Sequence, residues 1–133
     1  MQILRVIVQA LAVSATLFAA QAQAVTPAEQ LAGYTAQAGS AAQAARGQEF
    51  FTSKHGKDWS CSSCHTINPT VQGKHASTGK VISPMAIAFN PERFTDTAKT
   101  EKWFRRNCND VLGRECSPAE KADVLAWLLS FKR

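Results

Sequence analysis

Residues 61–65 of the chain read CSSCH, which matches the pattern C-x-x-C-H. This spacing is typical of covalent attachment of a c-type haem. Two thiols at this separation reach the two vinyl groups of one porphyrin, and the adjacent imidazole then lies beneath the iron. We therefore predict one covalent haem c, with Cys61 and Cys64 as its attachment points and His65 as the proximal iron ligand.

Two other kinds of site also use a C-x-x-C pair. A structural zinc site needs a second ligand pair at matching spacing, whereas Cys108 and Cys116 have seven residues between them. A thioredoxin-like redox pair belongs to a βαβ pattern, which this chain does not show. Haem attachment is therefore the favoured interpretation.

The first 24 residues have the three parts of a secretory signal peptide. Arg5 precedes the apolar run VIVQALAVSATLFAA, and Ala22-Gln23-Ala24 is a small-residue cleavage pattern. The apolar run is too short and too weak for a membrane anchor. We expect residues 1–24 to be removed, residues 25–133 to form one small periplasmic domain, and no membrane span in the mature chain.

The charge balance bears on the choice of partner. The full chain has 15 basic and 10 acidic residues; without Arg5, 14 basic residues remain and the net charge is +4. An exported protein without a long basic run is not expected to bind nucleic acid. An acidic redox partner is favoured, because complementary charge raises encounter rates. Trp103 is expected to pack in the core or against the haem. The cluster around it is either a solvated helix face or a docking patch: Lys99, Lys102, Arg105 and Arg106.

Helical signals dominate the rest of the chain. The stretches 26–29 and 117–120 are capping boxes with proline at the first helical position, and Asp96 can cap a third helix. Gly47 is expected at a close helix crossing. Residues 54–90 resemble one long loop, which needs a haem to fill its interior. No window shows sustained strand alternation, so the predicted fold class is all-α. Helices are predicted near residues 27–53, with an interruption at Gly39-Ser40, and near 96–106 and 118–131.

One haem motif followed by a helix, a loop and a C-terminal helix is the order of class I cytochromes c. The chain resembles that family over roughly residues 43–133. The resemblance implies that the distal iron ligand, usually methionine, comes from the loop between the third and last helices. Here that loop is predicted at residues 107–116, whose only donors are two asparagines and two cysteines.

Three residues outside this loop are alternative distal ligands. Met85 follows Pro84 but precedes the third predicted helix, and it equally fits the role of a gap-filling methionine in the core. His75 fits the role of a solvated loop histidine, and His55 precedes the haem motif. The sequence pattern disfavours all three as ligands and excludes none of them.

Cys108 and Cys116 have two possible roles. Export to an oxidising compartment favours a disulfide that closes the short segment between them. The alternative is a thiolate iron ligand, as in monooxygenases. The disulfide is the favoured interpretation.

A more specific resemblance rests on several motifs together. They are QLAGY at 30–34, C-x-x-C-H at 61–65, RFTD at 93–96, EKW at 101–103, RNCN at 106–109, GREC at 113–116 and EKADVLAWL at 120–128. In this combination the chain resembles the sphaeroides haem proteins, exported oxygen-binding variants of class I cytochrome c. The resemblance implies a single cytochrome c domain, Asn107 as the distal iron ligand and a Cys108–Cys116 disulfide. Asn109 would then be a surface or capping residue.

An amide ligand implies a function. A neutral amide is a weak, hard donor, which ferric iron tolerates and softer ferrous iron holds poorly. Reduction should therefore release Asn107 and let oxygen, carbon monoxide or nitric oxide bind. The resemblance also implies a diheme cytochrome c as electron donor. A plainer role for Asn107 is the C-terminal cap of the third helix.

Two other functions remain open from the sequence alone. One is an ordinary electron-transfer cytochrome c with Met85 as the distal ligand. The other is a reductase of peroxide, hydroxylamine or nitric oxide. No distal acid–base pair is visible, so we do not expect dedicated catalysis.

Overall fold

The computed structural model of the protein describes residues 24–133. The expected signal peptide, residues 1–24, therefore lies outside the described residues except for Ala24 and stays a prediction. The described part contains five helices and two short strands. The helices are α1 (Pro27–Ala38), α2 (Ala44–Thr52), α3 (Ser62–His65), α4 (Thr97–Leu112) and α5 (Pro118–Ser130). The strands are β1 (Gly73–Lys74) and β2 (Val81–Ile82), which pair antiparallel.

The helices begin where local sequence signals place them. Thr26 and Ser117 each form a complete capping box with the glutamate three residues later, and the Asp96 carboxylate caps α4 by accepting from the Lys99 N–H. Gly39 ends α1 in the left-handed conformation, with φ of 65°. These starts agree with the prediction because capping depends on a few neighbouring residues only.

The end of α4 was predicted wrongly. The expected helix stops at residue 106, whereas α4 continues through Leu112 and is ended by Gly113, whose φ is 74°. The helix continues because no residue from 107 to 112 breaks it, and glycine is the residue that adopts the left-handed cap most easily. Asn107 therefore lies within a helix, not in the connecting loop.

The core forms where α5 packs against α1 and α2. One cluster of buried side chains joins α2 to α5 through Phe51, Val124, Trp127 and Leu128; another joins α1 to α5 through Tyr34, Ala122 and Leu125. At Gly47 the helices approach so closely that a Cβ atom would lie 1.9 Å from the Asp123 carbonyl oxygen. The expected close crossing at Gly47 is thus present.

The buried carboxylate of Asp123 stabilises the same crossing of α2 and α5. Asp123 is 3% exposed; it accepts 2.7 Å and 2.8 Å hydrogen bonds from the Gln43 N–H and Arg46 Nη2, and it also pairs with Arg46 Nε. Paired in this way, the charge of Asp123 can stay buried.

The segment between α2 and α4 wraps around a cavity and is less irregular than expected. It contains the single turn of α3 and the β1–β2 hairpin, in which Gly73 faces Ile82. Two-residue strands are too short to give an alternating pattern, so the sequence did not indicate them, and the described part remains mostly helical. Among the helices of residues 24–133, none combines the length and apolar character needed to cross a bilayer.

Candidate haem site

A cavity of about 390 Å³ lies between α2, the C-x-x-C-H turn, the hairpin and α4. Its wall brings together most of the residues singled out from the sequence: Cys61, Cys64, His65, His75, Met85, Asn107, Cys108 and Cys116. Most of the wall is apolar, as expected of a site for a large planar cofactor. His55 is not part of this wall; its Nε2 lies 2.8 Å from the Phe50 carbonyl oxygen.

The attachment motif is a compact helical turn. The N–H groups of Cys64 and His65 both donate to the Cys61 carbonyl, at 3.3 Å and 3.1 Å. Both cysteines are half-buried free thiols. The hairpin supports this turn from outside, because a Cβ at Gly73 would lie 2.0 Å from the Cys64 carbonyl oxygen. The geometry thus presents two thiols and one imidazole to the same cavity.

The His65 imidazole is suited to bind a metal. Its Nδ1 is buried and has no hydrogen-bond partner within residues 24–133. Burial, with help from the nearby charge of Arg93, lowers the pKa of His65 to about 4. The ring is therefore neutral at physiological pH, which is the form that ligates iron.

Arg93 is a site residue that the sequence analysis did not single out. Its half-buried guanidinium lines the cavity and donates to the carbonyl oxygens of Ser83 and Pro84, at 2.7 Å and 3.1 Å. Its pKa is lowered by burial, and no acidic side chain of the described residues pairs with it. A guanidinium in this position suits the propionate carboxylates of a haem. In the sequence Arg93 appeared only as the first residue of the RFTD motif at 93–96, to which no role was given.

Asn107 lies on the cavity side of α4 and is partly buried. Its amide makes no hydrogen bond to other side chains or backbone in the described part of the chain, and Gly113, six residues later, is the cap of the helix. The alternative role of Asn107 as a helix cap is therefore wrong. Asn109 differs, because its exposed amide donates to the Arg105 carbonyl at 2.8 Å. Asn107 is the asparagine that is free to act as a ligand.

Cys108 and Cys116 are joined in a disulfide, with a Cα–Cα distance of 5.6 Å. Both are buried, at 3% and 7% exposure. The bond ties the last turns of α4 to the start of α5 and leaves no thiolate at either position. It therefore holds the backbone next to Asn107 in place.

Met85 and His75 also belong to the cavity wall. The Met85 N–H donates to the Pro69 carbonyl at 2.9 Å, and the Met85 side chain packs against the Phe51 cluster of the core. His75 Nδ1 accepts from the Thr78 N–H at 3.2 Å, which fixes its ring within the hairpin turn. Both residues therefore have a structural role. Because Met85 lies in the cavity wall, its sulfur remains the candidate distal ligand of an ordinary electron-transfer cytochrome.

Comparison with known proteins identifies relatives of this chain. Residues 37–128 match a family model described as a domain of unknown function (DUF1924). The cytochrome c-type protein SHP of Cereibacter sphaeroides is 50% identical over 107 residues, which are 77% of this chain and 82% of that protein. Cytochrome c'' of Methylophilus methylotrophus is 50% identical over 80 residues, 60% of this chain and 56% of its own length.

Solved structures of the same proteins also have a similar fold. Oxidised SHP, described as an oxygen-binding cytochrome c, superposes with a TM-score of 0.76 at 46% identity, covering 81% of this chain and 99% of that one. Oxidised cytochrome c'' superposes with a TM-score of 0.72 at 40% identity, covering 80% and 95%. The predicted all-α cytochrome c fold is confirmed. The chain belongs to the family of the cytochrome c-type protein SHP.

Proposed function

We propose that this protein is a periplasmic monohaem c-type cytochrome in which Asn107 is the distal iron ligand of the oxidised state. On reduction the Asn107 amide leaves, and oxygen or another small diatomic binds in its place. The observation that carries the proposal is the Asn107 side chain, which lines the same cavity as His65 and has no hydrogen bond within residues 24–133. A haem held by these residues would supply a redox-active iron.

Four other residues have proposed roles in holding the haem. Cys61 and Cys64 form the thioether links, and His65 is the proximal ligand. Arg93 pairs with a propionate. The support is the fit of this residue set: two free thiols on one turn, a neutral buried imidazole and a half-buried guanidinium without an acidic partner in the described chain.

The position of Asn107 on a helix determines how the amide leaves. Its backbone is fixed within α4, and the next residue, Cys108, is locked by the disulfide. Release is therefore a side-chain rotation and needs no movement of the helix. The amide has both a carbonyl acceptor and an NH₂ donor, so after release it can donate a hydrogen bond to a diatomic bound nearby.

The descriptions of two relatives support a proposed function in which an iron ligand is released and replaced. SHP is described as oxygen-binding, and a solution study of cytochrome c'' concerns the structural basis of haem-ligand detachment. For this chain we propose oxygen as the first ligand to test, with carbon monoxide and nitric oxide as analogues. We propose a diheme cytochrome c, or another acidic redox protein, as the electron donor.

Absorption spectra of the purified haem protein test the proposal. Oxidised, reduced and carbon-monoxide-treated samples are compared for wild type, Asn107→Val and the control Asn109→Val. We expect reduced wild type and Asn109→Val to bind carbon monoxide, and oxidised Asn107→Val to lose the six-coordinate spectrum. A reduced wild type that stays six-coordinate and ignores carbon monoxide would overturn ligand release.

A second candidate is an ordinary electron-transfer cytochrome with Met85 as distal ligand, favoured by the place of Met85 in the cavity wall. It predicts a sulfur-to-iron charge-transfer band in the oxidised protein, and loss of that band in Met85→Leu. Under our proposal the band is absent and Met85→Leu keeps the wild-type spectrum.

A further inference from the structure

The surface of α4 carries an exposed indole between two cations. Trp103 is 45% exposed. Of the two places predicted for it, it lies at the cavity wall and not in the core. Lys102 Nζ lies 5.9 Å and Arg106 Cζ lies 5.2 Å from the centre of its ring. Cations at these distances are attracted to the face of the ring, so the two side chains stay folded against the indole.

These residues belong to one stripe of the helix. Lys99, Lys102, Trp103 and Arg106 follow the spacing i, i+3, i+4, i+7, which places them on one side of α4. All four are exposed, and we call them the α4 cationic face. Trp103 and Arg106 also line the haem cavity. The stripe therefore borders the cavity and is not a remote part of the surface.

The acidic residues near the stripe decide whether its net charge stays positive. Glu101 is turned away and accepts hydrogen bonds from Tyr34 and Lys121. Asp110 is exposed and lines the cavity one turn beyond Arg106. On another side of the cavity wall the exposed Lys80 adds a further positive charge. Asp96, the exposed N-cap residue, lies one turn before Lys99. Three of the four residues of the α4 cationic face are cations, so the stripe stays net positive with Asp96 and Asp110 beyond its two ends.

We infer that the α4 cationic face is the docking surface for an acidic redox protein, with Trp103 as its apolar centre. This inference rests on the proposed function. Tryptophan and arginine are among the residues enriched at the energetic centre of interfaces, and complementary charge steers encounter. Since Trp103 belongs to the cavity wall, a partner seated on it lies beside the haem site. A helix face that only contacts solvent would explain the cluster of positive charges. It would not explain why a large apolar side chain, Trp103, is exposed beside the cavity.

Reduction kinetics test this surface with two matched double variants. Lys99→Glu with Lys102→Glu reverses two charges on the face; Lys54→Glu with Lys132→Glu reverses two exposed charges elsewhere. None of these four lysines lines the haem cavity. Reduced cytochrome b5, an acidic haem protein, is the donor probe in stopped-flow experiments with the oxidised haem protein at several ionic strengths.

We expect the face variant to be reduced about tenfold more slowly than the control variant at low salt, and the difference to shrink as salt screens the charges. Trp103→Ala should slow reduction at high salt as well, because apolar contact is not screened. Equal rates for the two double variants at low salt would overturn the inference. Binding of the protein to anionic lipid vesicles, lost in the face variant while its reduction rate stays equal to the control, would overturn it in favour of a membrane surface.

Carbon monoxide binding keeps the two proposals apart. The face variant should bind carbon monoxide like wild type once dithionite has reduced it, because Lys99 and Lys102 lie outside the cavity. Slow reduction by cytochrome b5 with intact carbon monoxide binding supports the docking surface. If reduced wild type fails to bind carbon monoxide, the proposed function fails, and the kinetic comparison still decides where a partner docks.

Discussion

The phenolic hydroxyl of Tyr34 donates a 2.5 Å hydrogen bond to Glu101 Oε1, and Lys121 donates a 2.7 Å bond to Oε2 of the same carboxylate. Helices α1, α4 and α5 therefore meet at one side chain. Burial, followed by the hydrogen bond to Glu101, raises the pKa of Tyr34. Phe104 lies edge-on to Tyr34 at 5.8 Å and lines the haem cavity, so this cluster also positions the helix that carries Asn107.

Tyr34→Phe should lower the free energy of unfolding by about 1.5–3 kcal/mol, the range for a hydrogen bond to a charged acceptor. Because the phenylalanine ring still fills the buried site, the lost stability measures the contribution of the hydroxyl group and its hydrogen bond. Urea unfolding followed by circular dichroism measures it. Thr52→Ala is the control: it removes a hydroxyl that bonds within its own helix and should cost less than about 0.5 kcal/mol. Equal stability of Tyr34→Phe and wild type would contradict the role given to this bond.

Two glutamates should make the fold acid-sensitive. Burial raises the pKa of Glu101, but the bonds from Lys121 and Tyr34 outweigh it, so the pKa is lowered overall from 4.5. The pKa of Glu120 is lowered chiefly by its hydrogen bond from Arg114. Lowered folded-state pKa values give stability that is present above the unfolded-state value and lost as pH falls through the folded-state value. Unfolding free energies between pH of about 6 and about 3 should therefore decline with acid, and the decline should be shallower in Glu101→Gln. An identical slope in that variant would contradict the assignment.

Gly47→Ala should be strongly destabilising. Its Cβ would meet the Asp123 carbonyl oxygen at 1.9 Å and the Val124 nitrogen at 2.7 Å, and backbone atoms of a packed helix cannot move aside cheaply. We expect a loss of at least about 2 kcal/mol in thermal or urea unfolding. Gly33→Ala is the matched control, since that glycine lies in α1 with no atom within 4 Å of the added carbon. It should stabilise the protein by up to about 1 kcal/mol; similar effects in both variants would refute the helix-crossing argument.

Arg93→Met should lower the reduction potential of the haem protein. A half-buried positive charge beside His65 favours the reduced, less positive state, and its loss favours the oxidised one. Spectroelectrochemical titration measures the shift. Lys80→Met, which removes an exposed cavity-wall cation, should shift the potential less because solvent screens it. Shifts of the same size would show that Arg93 has no special position.

The sequence predicted best what depends on neighbouring residues. The starts of α1 and α5 follow from capping boxes, whereas the single turn of α3 lies in the segment 54–90 that was expected to be one long loop. The end of α4 was missed because the class I order placed a loop at Asn107, whereas the left-handed cap at Gly113 ends the helix. Arg93 and the exposed Trp103 depend on tertiary packing, which no local pattern encodes.

The hydrogen bond from the Gln43 N–H to the Asp123 carboxylate joins residues 80 positions apart. Cys61 and Cys64, the proposed attachment points, lie on the chain between them. If Cys61 and Cys64 carry the haem as proposed, attachment must reach two thiols that are half-buried in the folded chain. We therefore expect the apoprotein to remain open and sensitive to proteases until the haem is attached, so that acquisition of its prosthetic group acts as a quality-control checkpoint.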